Sequence, residues 1–268
     1  MYKIAISDLD GTLLGPDHRI SAQTNATIKR WLDSDRKFVI ATGRHYIEAN
    51  HLQASIDTPL YLITCNGARV HNHKGEIIHK QNLNSEIAEE ICAQTFADEV
   101  QINLFTDQNW FANYRIPALD EMGLDAGFDC IATDLAKLDK GNTIKIFFWA
   151  EPEFLQPIYE HLNARYGKRI NLTFSLAKCL EVMHATTNKG EAVKAVLADK
   201  GLRVDDAVAF GDGMNDLEML EVVGKPVLMG NAQKALRDAI PNAEFTLTSK
   251  EDGVAFYMDK LLAKYNNN

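Results

Sequence analysis

Ile4-Ala5-Ile6-Ser7-Asp8-Leu9-Asp10-Gly11-Thr12-Leu13-Leu14 is the stretch that decides the fold. Its apolar start has the length and composition of a short buried strand. It ends in two carboxylates separated by one residue, then Gly and Thr. Aspartate is depleted from strands, so a pair at a strand end needs a reason. In open parallel sheets, ligands bind beyond the carboxyl ends of the strands, where these acids fall. In a regular strand, alternation would put Asp8 and Asp10 on one face. Converging carboxylates repel unless a cation lies between them, and hard oxygen ligands suit Mg2+. A carboxylate can also attack phosphorus and form an aspartyl-phosphate. A pair that merely caps a helix or shapes a turn is the alternative at this point.

Outward from this stretch, Ser21 is placed to cap a helix carrying Ile28, Trp31 and Leu32 at i, i+3, i+4. Phe38 to Ala41 reads as a second buried strand, ending in Thr42-Gly43-Arg44. Leu60 to Ile63 reads as a third, ending in Thr64-Cys65-Asn66-Gly67. This rhythm predicts a doubly wound parallel sheet with a site along one edge. Ala68 to Val70 and Ile77-Ile78, around Asn72 to Gly75, read as a hairpin on that sheet. Further on, Lys189 opens a helix bearing Ala192, Val193, Val196 and Leu197. The strand Ala207 to Phe210 ends in Gly211-Asp212-Gly213-Met214-Asn215-Asp216. The strand Pro226 to Met229 ends in Gly230-Asn231-Ala232. A last helix is predicted from Gly253 to Tyr265, with Asn266 to Asn268 fraying.

Between these halves the rhythm changes. Ser85 to Phe96 is amphipathic, with Ile87, Ala88, Ile91 and Cys92 on one face. Val100 to Phe105 and Ile144 to Phe148 alternate with period two, predicting an antiparallel sheet with one wetter face. A helix from Phe154 to Tyr166 and strands Ile170 to Phe174 and Leu180 to Met183 follow. The expected organisation is an α/β core of residues 1–82 and 184–268, interrupted by an inserted α+β domain of residues 83–183.

Composition narrows the function. Of 268 residues, 46% are apolar and 24% charged, as in a globular protein. The net charge of −9 argues against a nucleic-acid or anionic membrane partner. No run is long and apolar enough to span a bilayer, and Met1 leads almost directly into a strand, so a cytoplasmic location is expected. Cys65, Cys92, Cys130 and Cys179 are scattered and read as lone buried thiols.

The strand ends and one helix start supply a matched set: Asp8 and Asp10; Thr42 and Gly43; Lys189; Asp212, Asn215 and Asp216. Phosphoryl transfer to a carboxylate needs such a set, because a phosphate dianion is repelled by an anionic nucleophile. Lys189 supplies compact charge, Thr42 and Gly43 can hold phosphate oxygens, and Mg2+ held by Asp8 and Asp212 would neutralise the rest. Asp10 can protonate the leaving oxygen and deprotonate the attacking water.

Asp8-Leu9-Asp10-Gly11-Thr12, Ala41-Thr42-Gly43-Arg44, Asn188-Lys189-Gly190 and Gly211-Asp212-Gly213-Met214-Asn215-Asp216 resemble the four motifs of the haloacid dehalogenase superfamily. More narrowly, the chain resembles its Cof-type phosphatases, whose cap domain lies between the second and third motifs. The bacterial sugar-phosphate and pyridoxal-phosphate phosphatases of this group are similar through Thr42-Gly43-Arg44-His45, Asn66-Gly67-Ala68-Arg69-Val70-His71 and Asp107-Gln108-Asn109-Trp110-Phe111. A thiamin-precursor pyrophosphatase branch has a similar pattern.

The resemblance implies a Rossmann-like core with a cap and a Mg2+-dependent phosphatase acting on a small phosphorylated metabolite. Pyridoxal 5′-phosphate and sugar phosphates lead as substrates. It makes Asp8 the nucleophile and Asp10 the general acid/base. Asp8, the Asp10 carbonyl and Asp212 would bind the metal, with Asp216 in support. Leu9, Thr42, Gly43, Lys189 and Asn215 would hold the phosphate. Arg44, His45 and Asn66 are candidate substrate-pocket residues, with a surface salt bridge the alternative for Arg44. A phosphomutase keeps the same chemistry with a sugar hydroxyl as acceptor; a non-enzymatic phosphoacceptor is a further alternative. His71, His73 and His79 lack metal-site spacing and read as solvated hairpin residues. Trp110 and Phe111 read as sheet core, with stacking on an aromatic substrate as the alternative.

Overall fold

The computed structural model describes residues 1–120 and 126–266. The end of the expected frayed tail, 267 and 268, lies outside the described residues. The chain divides into two compact units, Met1–His79 with Asn188–Asn268, and Lys80–Thr187.

The first unit opens with β1 (Ile4–Ser7), α1 (Ala22–Asp33), β2 (Lys37–Ala41), α2 (Tyr46–Gln53), β3 (Tyr61–Thr64) and β4 (Arg69–His71), followed by β5 (Ile77–Lys80). Ser21 caps α1 through Thr24 N–H, as its sequence predicts. The second unit contains α3 (Ser85–Cys92), β6 (Gln101–Phe105), β7 (Trp110–Ala112), α4 (Pro117–Asp120), β8 (Cys130–Ala132), β9 (Lys145–Trp149), α5 (Pro152–Tyr166), β10 (Ile170–Leu176) and β11 (Cys179–His184). The chain then adds α6 (Lys189–Lys200), β12 (Ala207–Gly211), α7 (Leu217–Val222), β13 (Lys225–Leu228), α8 (Lys234–Ala239), β14 (Glu244–Phe245) and α9 (Gly253–Asn266) to the first unit.

The first sheet runs β14-β13-β12-β1-β2-β3-β4-β5. Pairing is parallel from β14 to β3, and β4 turns antiparallel. Its inner strands are buried on both faces, so their sequences read as continuous apolar runs. Alternate residues separate cleanly. Ile4, Ile6, Val39 and Ile63 pack with Ala192, Val196 and Met219 from α6 and α7. Ala5, Phe38, Ile40 and Leu62 pack with Ile28, Trp31 and Met258 from α1 and α9. Helices on both faces leave the strand ends as the place for chemistry.

The second unit's sheet runs β10-β11-β9-β6-β7-β8 and is antiparallel except for the β7–β8 pair. Ile102, Leu104, Ile146, Phe148 and Leu180 pack on α3 and α5. The opposite face is polar but not wet, which corrects the expected alternation. Gln101 and Asn103 are fully buried, and Lys145 pairs with buried Glu181 at 2.8 Å. These groups satisfy one another: Trp110 Nε1 donates to Asn103, Asn103 to Gln101, and Gln101 to Tyr114 O. Trp110 lies in this layer beside Phe105 and Phe128, whereas Phe111 packs on the helix side.

Helix α3 stops at Cys92 rather than Phe96. Ala93 still bonds to Glu89 O, but Gln94 closes a tighter turn on Ile91, and Phe96 then packs against Phe148. The four cysteines are free and buried. Among the described residues, no helix is long and apolar enough to cross a membrane.

Candidate active site

Asp8 sits one residue beyond β1, where its N–H still bonds to Phe210 O at 3.0 Å. It is 5% exposed. The strand does not continue to Asp10. Leu9–Leu13 form one wide turn closed by Leu14 N–H on Leu9 O, with Gly11 at φ +78°. Asp10 is therefore carried out to the surface instead of sharing a strand face with Asp8. A Cβ on Gly11 would lie 2.5 Å from Asp212 Oδ2, so both the dihedral and the space demand glycine.

Lys189 begins α6, capped by Asn188, and its side chain is fully buried. Its Nζ donates to Asp8 Oδ1 at 2.6 Å and to Asp216 Oδ1 at 2.7 Å. The other Asp216 oxygen accepts from Asp212 N–H at 2.9 Å and Gly213 N–H at 3.0 Å. Asp212 follows β12, and its Oδ1 accepts from Thr12 Oγ1 at 2.9 Å. Asn231, beyond β13, donates to Gly11 O at 2.8 Å. Two neighbouring strand ends, those of β1 and β12, thus deliver carboxylates to one place, and the end of β13 adds the Asn231 amide.

Oxygens of Asp8, Asp212 and Asp216 lie within 4.8 Å of one another. Burial pushes the Asp8 carboxyl well above the usual aspartate range, Asp216 adds repulsion, and Lys189 only partly opposes it. Burial likewise raises Asp212 to about 6; the Thr12 hydrogen bond pulls it down and Asp216 pushes it up. Burial disfavours the Lys189 ammonium, but Asp216 and Asp8 outweigh this and raise its pKa above that of an ordinary lysine. Three carboxylates sharing one ammonium leave the cluster short of positive charge, and a divalent cation with oxygen preference fits that deficit. Asp216 is fully buried, with Lys189 on one oxygen and two backbone amides on the other. Asp212 is partly exposed with weaker partners, so Asp8 and Asp212 are the carboxylates better suited to direct ligation.

Thr42 is 1% exposed, and its Oγ1 accepts from Arg44 N–H at 3.1 Å. Gly43 approaches Asn66 so closely that a Cβ would lie 3.0 Å from Asn66 Oδ1. Asn66 has a left-handed backbone, φ 54°, and accepts from Asn215 Nδ2 at 3.2 Å. The Leu9 side chain is buried in the apolar core, so it can offer the site backbone alone. His45 is 1% exposed, and its Nδ1 accepts from Ile47 N–H as the cap of α2. Arg44 forks onto Asp10, with Nε to Oδ2 at 2.8 Å and Nη2 to Oδ1 at 2.6 Å.

The hairpin histidines depart from the solvated reading. His71 is 6% exposed and stacks on Tyr46 with ring centroids 3.7 Å apart. His79 is half-buried, and burial together with Arg69 lowers its pKa. His73 is exposed as expected. Thr12 and Asn231 were not singled out as site residues by sequence. Their signal was position: one follows the Asp-x-Asp-Gly turn, the other ends the strand next to Asp212.

A family described as haloacid dehalogenase-like hydrolase matches residues 5–258. The chain belongs to that family. It is 41% identical over 237 residues to an HMP-PP phosphatase of Enterobacter sp. (strain 638), covering 88% of this chain and 87% of that protein. It is 36% identical over 258 residues to an HMP-PP phosphatase of Escherichia coli O157:H7 (strain EC4115 / EHEC), covering 96% and 95%. Among solved structures, a haloacid dehalogenase-like hydrolase from Bacteroides thetaiotaomicron superposes with a TM-score of 0.87 at 24% identity, covering 97% of this chain and all of that one. The chain is accordingly an enzyme, a phosphatase of this family, and the non-enzymatic phosphoacceptor reading falls away.

Proposed function

We propose that this phosphatase transfers a phosphoryl group from a small phosphorylated metabolite to Asp8 and then to water. The observation that carries this is the buried Asp8–Lys189–Asp216 arrangement at the end of β1, a carboxylate held ionisable beside a fixed cation. An Asp8 oxygen attacks phosphorus, and Lys189 offsets charge on the incoming phosphate. Thr42, the Gly43 amide, the Leu9 amide and Asn215 hold phosphate oxygens. Asp10, at the open side of the turn, protonates the departing oxygen and later takes a proton from water. Asp8, Asp212 and the Asp10 carbonyl would hold Mg2+, with Asp216 positioning Asp212; the ion supplies charge neutralisation for the phosphoryl group.

The relatives' names favour a diphosphate, HMP-PP, over the pyridoxal 5′-phosphate and sugar phosphates that lead on sequence resemblance. The test is phosphate release from a panel of HMP-PP, pyridoxal 5′-phosphate and sugar phosphates, with and without Mg2+. HMP-PP should rank first, with release dependent on Mg2+. Release unaffected by chelation would refute the metal assignment, and isomerised sugar phosphate in place of free phosphate would indicate a mutase.

A further inference from the structure

Arg44 and Asp10 form an ion pair beside the turn that follows β1. Both Asp10 oxygens are occupied by the guanidinium fork. A carboxyl so held turns both oxygens toward the guanidinium, so the pair must open before Asp10 can turn to a leaving group. The cost of opening is small, because the side chains are 25% and 45% exposed and exposed ion pairs are weak. The root of Arg44 stays fixed throughout: its N–H bonds to Thr42 Oγ1, and its carbonyl accepts from Cys65 N–H at 2.8 Å. Only the side chain needs to move, and it starts one residue from Gly43, in the loop proposed to hold phosphate. An incoming anion with two oxygens in a plane is the natural competitor for a guanidinium fork.

We propose that Arg44 exchanges Asp10 for an anionic group adjoining the scissile phosphoryl bond, so that the site prefers diphosphates to monoesters with neutral leaving groups. The inference rests on the proposed roles of Asp8 and Asp10. On a diphosphate, the inner phosphate displaces Asp10 from the fork, binding substrate and releasing the acid/base in one event. The Asp8–phosphorus bond forms as the bond from phosphorus to the bridging oxygen breaks. The electron pair passes to that oxygen, which leaves as a monophosphate with its charge held by Arg44. Water then attacks the aspartyl-phosphate, giving up its proton to Asp10, which passes it to solvent, and phosphate departs as Asp8 regains its electron pair. A neutral alcohol offers the fork nothing, so Asp10 must be released without compensation.

The test compares benzyl diphosphate with benzyl phosphate, using the full chain with Mg2+, the wild type and the variants Arg44→Gln and Arg44→Lys. Losing a bidentate charge-assisted contact should lower the diphosphate-to-monophosphate ratio of kcat/KM about 10- to 100-fold in Arg44→Gln. The loss should fall mainly on KM for the diphosphate. Arg44→Lys, which keeps charge but not the fork, should recover part of the ratio. A ratio unchanged in Arg44→Gln overturns the proposal, because a residue that merely steadied Asp10 would affect both substrates alike. Asp10→Asn separates the two readings: wild-type turnover of benzyl phosphate in that variant sinks the acid/base role, and the exchange with it.

Discussion

As the proposed nucleophile, Asp8 faces two opposed demands: it must be ionised to attack, yet burial and Asp216 both resist its charge. Lys189 is the compensation, and it is shared. An ionised Asp8 therefore costs folding stability at neutral pH, because a carboxyl with a raised folded pKa stabilises only while protonated. Asp8→Asn removes the proposed nucleophile and the repulsion together. The expected result is no turnover above background, with a melting temperature at neutral pH no lower than that of the wild type; residual wild-type-like activity would remove Asp8 from the mechanism. Asp212 gives a second prediction. Its folded pKa rises from 3.8 to about 6, so its contribution to stability is full below the lower value and is lost as pH climbs through the upper one. Metal ligation needs the ionised form, so protons and Mg2+ compete. Affinity for Mg2+ should fall about tenfold from pH 7.5 to pH 5 through this group alone. Calorimetry showing equal affinity at both values, or a tighter fit at pH 5, would contradict this.

At the scale of elements, the wide turn after β1 does what a continued strand could not. It leaves Asp8 buried, turns Asp10 outward, and brings Gly11 against Asp212. Gly11→Ala adds a Cβ where φ is +78° and Asp212 Oδ2 is 2.5 Å away. The strain alone is worth about 1–3 kcal/mol. The melting temperature should drop, and phosphatase activity should fall more than the melt explains, because Asp212 must shift; unchanged kinetics with a lowered melt would confine Gly11 to a structural role. The turn also shows what sequence could convey. Buried parallel strands announce themselves through continuous apolar runs, and their polar ends point Asp8, Thr42 and Asp212 to one sheet edge, with Lys189 at a helix start, before any coordinates. The Arg44–Asp10 fork was not legible, because nothing in either residue's neighbours fixes which way a long exposed side chain points. Strand β8 escaped for a different reason: it is three residues long, too short for a period to register. The polar layer of β6 and β9 was legible as alternation, but alternation cannot say whether polar side chains meet water or one another.

At the scale of the molecule, every residue proposed for the chemistry lies in the unit Met1–His79 with Asn188–Asn268. The unit Lys80–Thr187 has its own sheet, its own apolar core on α3 and α5, and a separate layer of buried polar and aromatic groups. Its entering and leaving segments meet: Gln81 donates to Thr186 Oγ1 at 2.8 Å and accepts from Thr187 Oγ1 at 2.9 Å. A short Gly/Ser linker can therefore replace Lys80–Thr187 without spanning a gap. If phosphoryl transfer belongs to the first unit and substrate choice to the second, the linked protein should keep Mg2+-dependent hydrolysis of p-nitrophenyl phosphate. It should also lose most of its discrimination among HMP-PP, pyridoxal 5′-phosphate and sugar phosphates, since recognition of the non-phosphate part is what it gives up. Any preference left should follow the charge next to the scissile bond, which Arg44 reads from within the first unit. A linked protein that kept the parent's full substrate ranking would place specificity beside Asp8 and leave the inserted unit without a part in it.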